Sequence, residues 1–111
     1  MRVHGKHLSV IEGIWPPILL VMVGIPLALE LVAPNSFYGV RTSETLGSSE
    51  VWYRANFYAG FVGVLSGIAA AFANLAIIRS SQIPERKKWW FTIGTTLLAA
   101  GAMIVAGLLT S

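Results

Sequence analysis

Three long, uncharged and strongly apolar runs dominate this sequence and leave few folds open to it. They cover residues 13–29, 57–78 and 89–111, and charged residues separate them. About 20 apolar residues in a helix cross roughly 30 Å of hydrocarbon, where only helices and closed barrels satisfy their own backbone. The first run reaches that length if Leu31–Ala33, beyond Glu30, is added. The pattern therefore predicts three transmembrane helices, at about 14–33, 57–78 and 89–109.

The overall composition agrees with a membrane protein. Hydrophobic residues make up 55% of the chain and charged residues 12%, which is about half the charge of an average soluble domain. A soluble domain of this size needs more polar surface, because small domains expose much of their chain. We therefore predict one all-α integral membrane domain over residues 1–111, with an ordered polar and aromatic loop, residues 34–56, between the first two helices.

The prolines of the first run have separate predicted places. Pro16 and Pro17 suit the first turn of a helix, where a missing N–H costs nothing. Pro26 lies inside the run and is expected to kink the helix.

The distribution of basic residues predicts the orientation. Arg2, Lys6 and four basic residues within 79–88 fall on one side of a three-span protein, against Arg41 and Arg54 on the other. By the positive-inside rule, the N-terminus and the 79–88 connection face the cytoplasm, and the 34–56 loop and the C-terminus face outward. The net charge of +3 is thus explained by orientation, and no nucleic-acid partner is expected.

Catalytic and metal sites find no support in the sequence. The chain has no cysteine, and its histidines, His4 and His7, precede the first span. No nucleophile–base pair, phosphate loop or paired carboxylate site is visible. We expect a non-enzymatic protein with no cofactor and no metal.

Small residues predict how the helices pack. Ala59, Gly63, Gly67 and Ala71 recur every four residues in the second span, and the third span carries Gly94, Gly101 and Gly107. Such spacing allows close helix approach, within one chain or between copies. Asn74, in the second span, is expected to form an interhelical hydrogen bond, with an ion ligand as the alternative.

One carboxylate, Glu30, lies within an apolar run. Intramembrane acids are often functional, but Glu30 is near a predicted interface, where a snorkelling or salt-bridged side chain is expected. Arg41 is its natural partner, so a buried Glu30–Arg41 ion pair is possible. The alternative is a proton-binding role in a small transporter.

The 37–56 segment holds the densest set of polar and aromatic residues. Ser48 or Ser49 is a predicted N-cap for the second helix. Trp52 and Asn56 then share one helical face. Arg41 offers five donors, and Gly39 permits an unusual backbone angle. We expect a folded polar lid at the membrane edge, in which Thr42 and Thr45 close local turns.

This segment resembles the signature of the SdpI family of bacterial membrane proteins. The resemblance is carried by Gly39-Val40-Arg41-Thr42, then by Thr45, Trp52, Asn56 and Gly60. It implies a bacterial cytoplasmic-membrane protein whose motif positions, and candidate partner-binding residues, are Gly39, Arg41, Thr42, Thr45, Trp52 and Asn56. The best-known members are longer, confer immunity to a secreted toxic peptide and hold a repressor at the membrane.

Three functions remain open at this point. The first is SdpI-like recognition of a peptide toxin or protein partner through residues 37–56. The second is an accessory subunit of a larger membrane complex, respiratory or photosynthetic. The third is a small proton-coupled transporter that uses Glu30. The expected partners are the lipid bilayer and another membrane protein or a peptide, with a homo-oligomer left open.

Overall fold

Three long helices form the body of the molecule, and one short helix lies between the first two. The computed structural model describes residues 8–111, and within that range there are four helices and no strand: α1 Val10–Ala28, α2 Ser43–Gly47, α3 Ser49–Arg79 and α4 Glu85–Thr110. By length and composition α1, α3 and α4 can each cross a membrane. The all-α, three-span prediction is confirmed. Arg2, Lys6, His4 and His7 lie outside the described residues.

A capping box starts α1 earlier than the prolines suggest. The Ser9 hydroxyl accepts from the Glu12 N–H at 3.1 Å, and the Glu12 carboxylate accepts from the Ser9 N–H at 2.9 Å. This reciprocal pair satisfies two donors that a helix start leaves open, so the helix begins at Val10. The prediction that Pro16 and Pro17 occupy the first turn is therefore wrong, because both lie deeper inside α1.

The end of α1 also differs from the predicted boundary near residue 33. The Leu31 N–H donates to the Pro26 carbonyl at 2.9 Å, and the Glu30 N–H donates to the Leu27 carbonyl at 3.2 Å. These two bonds form a Schellman motif, which ends a helix with one residue in the left-handed conformation. That residue is Glu30, with φ = 59°. The chain thus leaves the helix after Ala28.

α3 is longer than a bilayer requires and takes over part of the predicted loop. Its N-cap Ser48 accepts from the Val51 N–H at 3.4 Å, and Glu50 lies in the first turn, where a negative charge is favoured. The helix has 31 residues, about 46 Å at 1.5 Å per residue. The predicted 34–56 loop is therefore non-helical only in part, since α2 and the first turns of α3 belong to it.

α3 is the central helix, and it runs antiparallel to both α1 and α4, which touch each other much less. Glycines bring α3 and α1 together. A Cβ on Gly60 would lie 2.5 Å from the Gly24 carbonyl oxygen, and a Cβ on Gly67 would lie 2.9 Å from the Pro17 carbonyl oxygen. The two backbones are therefore in direct contact at these points.

The α3–α4 contact uses another part of the predicted small-residue stripe. Ala59 is fully buried and faces Gly107, and a Cβ on Gly63 would lie 2.7 Å from the Met103 sulfur. Ala71 is only half-buried. Gly94 and Gly101 do not join the packing within the chain, because a Cβ on either would meet nothing within 4 Å.

Asn74 joins all three long helices. Its amide donates to the Gly13 carbonyl of α1 at 2.7 Å and to the Thr96 hydroxyl of α4 at 3.3 Å, and its oxygen accepts from the Thr95 hydroxyl. Pro17 stands four residues after Gly13 and has no N–H, so the Gly13 carbonyl has no partner in its own helix. Asn74 supplies that partner, as the interhelical hydrogen-bond prediction expected.

Replacing Gly60 by Ala tests the α1–α3 contact. The added methyl group would overlap the α1 backbone, so we expect Gly60→Ala to lower the free energy of unfolding by about 1–3 kcal/mol. The measurement is SDS-induced unfolding in mixed micelles. Gly94→Ala is the matched control, because it should raise that free energy by up to about 1 kcal/mol through helix propensity alone. Equal responses of the two variants would contradict the contact.

Candidate functional site

Residues 32–47, here called the lid, form a folded segment that packs against the ends of α1, α3 and α4. The lid contains the short helix α2 and the non-helical chain before it. Where its backbone lacks regular hydrogen bonds, side chains supply hydrogen-bond partners instead.

Asn35 folds the first part of the lid. Its side-chain oxygen accepts from the Phe37 N–H at 2.8 Å and the Tyr38 N–H at 2.7 Å. Its amide donates to the carbonyls of Ala33 at 2.8 Å and Tyr38 at 3.1 Å. One side chain thus satisfies four backbone groups in a tight turn, a role for which Asn is well suited.

Trp52 and Asn56, on the first turns of α3, hold the lid to that helix. The Trp52 indole N–H donates to the Val32 carbonyl at 2.8 Å. The Asn56 oxygen accepts from the Val40 N–H at 2.5 Å, and the Asn56 amide donates to the Val40 carbonyl at 3.3 Å. Trp52 is 0% exposed and Asn56 2%. The polar groups of both side chains therefore have their hydrogen-bond partners inside the protein.

Gly39 is needed where the lid crosses these two side chains. Its φ is +110°, an angle that side-chain-bearing residues rarely adopt. A Cβ there would lie 2.8 Å from the Asn56 oxygen and 3.1 Å from the Trp52 ring. Both the backbone angle and the available space exclude other residues.

Val40 inserts between α3 and α4. A Cβ on Gly107 would lie 2.4 Å from a Val40 methyl carbon and 3.1 Å from the Ala59 Cβ. The absence of a side chain at Gly107 is therefore what makes room for Val40. This contact fixes the lid to α4 as well as to α3.

Thr42 and Thr45 form a capping box at the start of α2. The Thr42 hydroxyl accepts from the Thr45 N–H at 3.1 Å, and the Thr45 hydroxyl accepts from the Thr42 N–H at 2.7 Å. Thr45 is 0% exposed. Sequence reasoning expected these hydroxyls to close local turns, and the structure shows that closure as a helix cap.

Arg41 is exposed in the lid and does not pair with Glu30. Its Nε donates to the Asn35 carbonyl at 3.1 Å. Glu30 is also exposed, and no ion pair joins it to Arg41 in the described part of the chain. The predicted buried pair is wrong because Glu30 serves as the left-handed residue that ends α1.

Two ionisable side chains of the lid have perturbed acidity. Hydrogen bonds from its own backbone N–H, and then from Ser43 and Thr42, lower the pKa of Glu44. Burial raises the pKa of Tyr38, whose hydroxyl donates to the Val23 carbonyl of α1. Glu44 therefore stays ionised at neutral pH. It lies in the first turn of α2, where negative charge is favoured.

The outer surface of the lid combines apolar and charged groups. Phe37 is 94% exposed and Leu46 50% exposed, and Arg41 is exposed as well. These three residues are called the lid face below. No group of three His, Asp or Glu side chains within residues 8–111 is placed to hold a metal ion.

The fold and the lid define a multi-pass helical membrane protein with an ordered segment at one end of its bundle. The chain belongs to the SdpI/YfhL protein family, whose model matches residues 31–107. That match begins just after α1 and covers the lid, α3 and nearly all of α4. No curated protein and no solved structure matches the chain.

Sequence reasoning missed the organising roles of Asn35, Tyr38 and Val40. The Pro34-Asn35 pair was a usable signal, because Asn after Pro commonly closes a turn through its side chain. The contacts of Tyr38 with α1 and of Val40 with α4 join segments far apart in the sequence, and no local pattern marks them.

Asn56→Ala tests the attachment of the lid. The substitution leaves the Val40 N–H without its acceptor, which costs about 1–3 kcal/mol for a buried donor. We expect backbone hydrogen exchange in residues 38–42 to become about tenfold faster or more, as measured by mass spectrometry on the protein in detergent micelles. Phe37→Ala is the control and should keep the protection of the parent. Unchanged exchange in Asn56→Ala would contradict the assignment.

Proposed function

We propose that this chain is a non-enzymatic membrane protein of SdpI type that recognises a peptide toxin or protein partner through residues 37–56. The proposed contact surface is the lid face, Phe37, Arg41 and Leu46. The proposed location is the bacterial cytoplasmic membrane, with the lid on its outer side.

The observation that supports this proposal is the contrast between buried and exposed residues in the lid and the adjoining turns of α3. Trp52, Asn56 and Thr45 are buried and hydrogen-bonded, so they act as the scaffold. Phe37 is 94% exposed, and Arg41 is exposed as well. A rigid presentation reduces the entropy lost on binding, and arginine and aromatic residues are frequent energetic centres of interfaces.

The lid face suits an amphipathic peptide that approaches along the membrane surface. Phe37 and Leu46 offer apolar area, and the Arg41 guanidinium offers N–H donors that can bind a carboxylate in a bidentate manner. Arg41 uses only its Nε in the Asn35 bond, and its terminal nitrogens have no hydrogen-bond partner within residues 8–111.

The proposed orientation rests on the charges of the opposite end. Arg79, Arg86 and Lys87 are exposed around the α3–α4 connection, and such residues favour the cytoplasmic side. The lid then lies outside, where a secreted peptide would arrive.

Toxin protection is the direct test of the lid face. Sensitive bacteria that express the parent or a variant are challenged with a secreted antibacterial peptide against which the parent protects. We expect Phe37→Ala and Arg41→Ala each to reduce the protected fraction about tenfold, equivalent to the loss of roughly 1.4 kcal/mol of binding. Membrane accumulation of every variant is measured in parallel.

The matched controls are Phe72→Ala and Arg79→Ala. Phe72 is 69% exposed on α3 and Arg79 is exposed at the opposite end of the bundle, so each control makes the same chemical change away from the lid. Both should protect like the parent. Full protection by the two lid variants at normal accumulation would remove the proposal.

A second candidate is an accessory subunit of a larger membrane complex. The open space at Gly94 and Gly101 of α4 favours it, because small residues on an unpacked helix face admit another helix backbone. Purification in mild detergent separates the candidates. A stable partner that is lost in Gly101→Leu but kept in Arg41→Ala would support the accessory function over recognition at the lid.

A further inference from the structure

A cavity lies at the end of the bundle opposite the lid, between α1 and α4. Its volume is about 140 Å³, and Gly13 and Pro16 of α1, Trp89 and Ile93 of α4, and Asn74 of α3 are among its lining residues. A space of this size can hold part of an acyl chain.

The polar groups of the cavity already have partners. Asn74 bonds to Gly13 and Thr96, and the Thr96 hydroxyl donates to the Thr92 carbonyl at 2.8 Å. The Glu12 carboxylate accepts from the Ser9 N–H. What the cavity chiefly offers to an occupant is apolar surface, with the 65% exposed Leu97 at its edge. Hydrocarbon fits this lining better than a polar solute does.

Arg86 stands on the helix stripe that leads into the cavity. It precedes Trp89 by three residues and Ile93 by seven, so the three residues share one face of α4. Arg86 is exposed and has no hydrogen bond or ion pair within residues 8–111. Its neighbour Lys88, by contrast, is 5% exposed and donates to the Ile78 carbonyl at 2.7 Å and to Glu85 at 2.8 Å.

The distance along α4 matches the layering of a bilayer. Seven residues separate Arg86 from Ile93, which is about 10 Å along a helix axis. The polar region of a bilayer leaflet is roughly 5–8 Å thick. With Ile93 in the hydrocarbon, the Arg86 guanidinium therefore reaches the level of the lipid phosphates.

From this arrangement we propose that the α1–α4 cavity is a binding site for one anionic phospholipid. Part of an acyl chain occupies the cavity beside Trp89 and Ile93, and the phosphate pairs with Arg86. Charge complementarity selects an anionic over a zwitterionic headgroup, since Arg86 has no competing carboxylate partner among the residues that the structure describes. The inference does not depend on what the lid recognises.

Quenching of Trp89 by brominated lipid tests the site. Trp15 and Trp90 are 57% and 62% exposed, so they are replaced by Phe in the full chain, and buried Trp52 stays as an internal reference. The protein is reconstituted in phosphatidylcholine vesicles with a small fraction of brominated phosphatidylglycerol or, separately, brominated phosphatidylcholine. We expect the anionic lipid to associate with the Trp89 site about fivefold more strongly, the preference typical of one basic residue near the surface.

Arg86→Gln and Lys87→Gln form the matched pair. Both remove one exposed positive charge from the same helix, but Lys87 lies about 100° around the axis from Arg86. Arg86→Gln should abolish the fivefold preference, and Lys87→Gln should change it by less than twofold. Ile93→Phe, which fills the cavity, should reduce quenching by the anionic lipid to the level of the zwitterionic one. Circular dichroism and gel filtration confirm that each variant is folded.

The proposal is overturned by any of three results. Equal loss of preference in Arg86→Gln and Lys87→Gln would show diffuse attraction to the surface charge. Equal quenching of the parent by both brominated lipids would show that the headgroup is not selected. Full preference in folded Ile93→Phe would place the lipid elsewhere.

Discussion

The chain between α1 and α3 is largely non-helical, so its backbone donors and acceptors need partners outside a regular helix. Asn35 supplies four of those partners within the lid, and Trp52 and Asn56 supply three more from α3. Each buried polar group left unpaired would cost about 1–3 kcal/mol. Because Trp52 and Asn56 belong to the first turns of α3, the position of the lid depends on that helix beginning as early as Ser49.

Backbone groups inside the bundle also need hydrogen-bond partners. Pro17 removes the N–H that would bond to the Gly13 carbonyl, and Asn74 of α3 replaces it at 2.7 Å. That replacement requires α1 and α3 to lie close together, which Gly60 and Gly67 permit. α3 therefore organises both ends of the molecule: its start holds the lid, and its second half satisfies α1 and α4.

The sequence predicted the features that depend on composition and local pattern. Three apolar runs implied three spanning helices, small residues at four-residue spacing implied close packing, and the motif around Arg41 implied the family. The boundaries were less accurate, because a capping box at Ser9 and a left-handed Glu30 moved both ends of α1. The Glu30–Arg41 pair was inferred from charge alone, whereas the geometry at the helix end decides where Glu30 lies. The contact of Val40 with Gly107 joins distant parts of the chain, and one sequence holds no signal for it.

The most direct test of the account is a disulfide between the lid and α4. The chain has no cysteine, so a Val40→Cys, Gly107→Cys double variant contains a single possible pair. The Val40 Cβ lies 3.3 Å from the Cβ position at Gly107, close to the separation of about 3.5–4.5 Å found in disulfides. We expect this pair to crosslink within one chain in isolated membranes under mild oxidation, while the distant pair Val40→Cys, Phe72→Cys, with Phe72 exposed farther along α3, stays largely reduced. A folded Val40–Gly107 cysteine variant that fails to crosslink, or that crosslinks no faster than the control pair, would contradict a lid packed between α3 and α4.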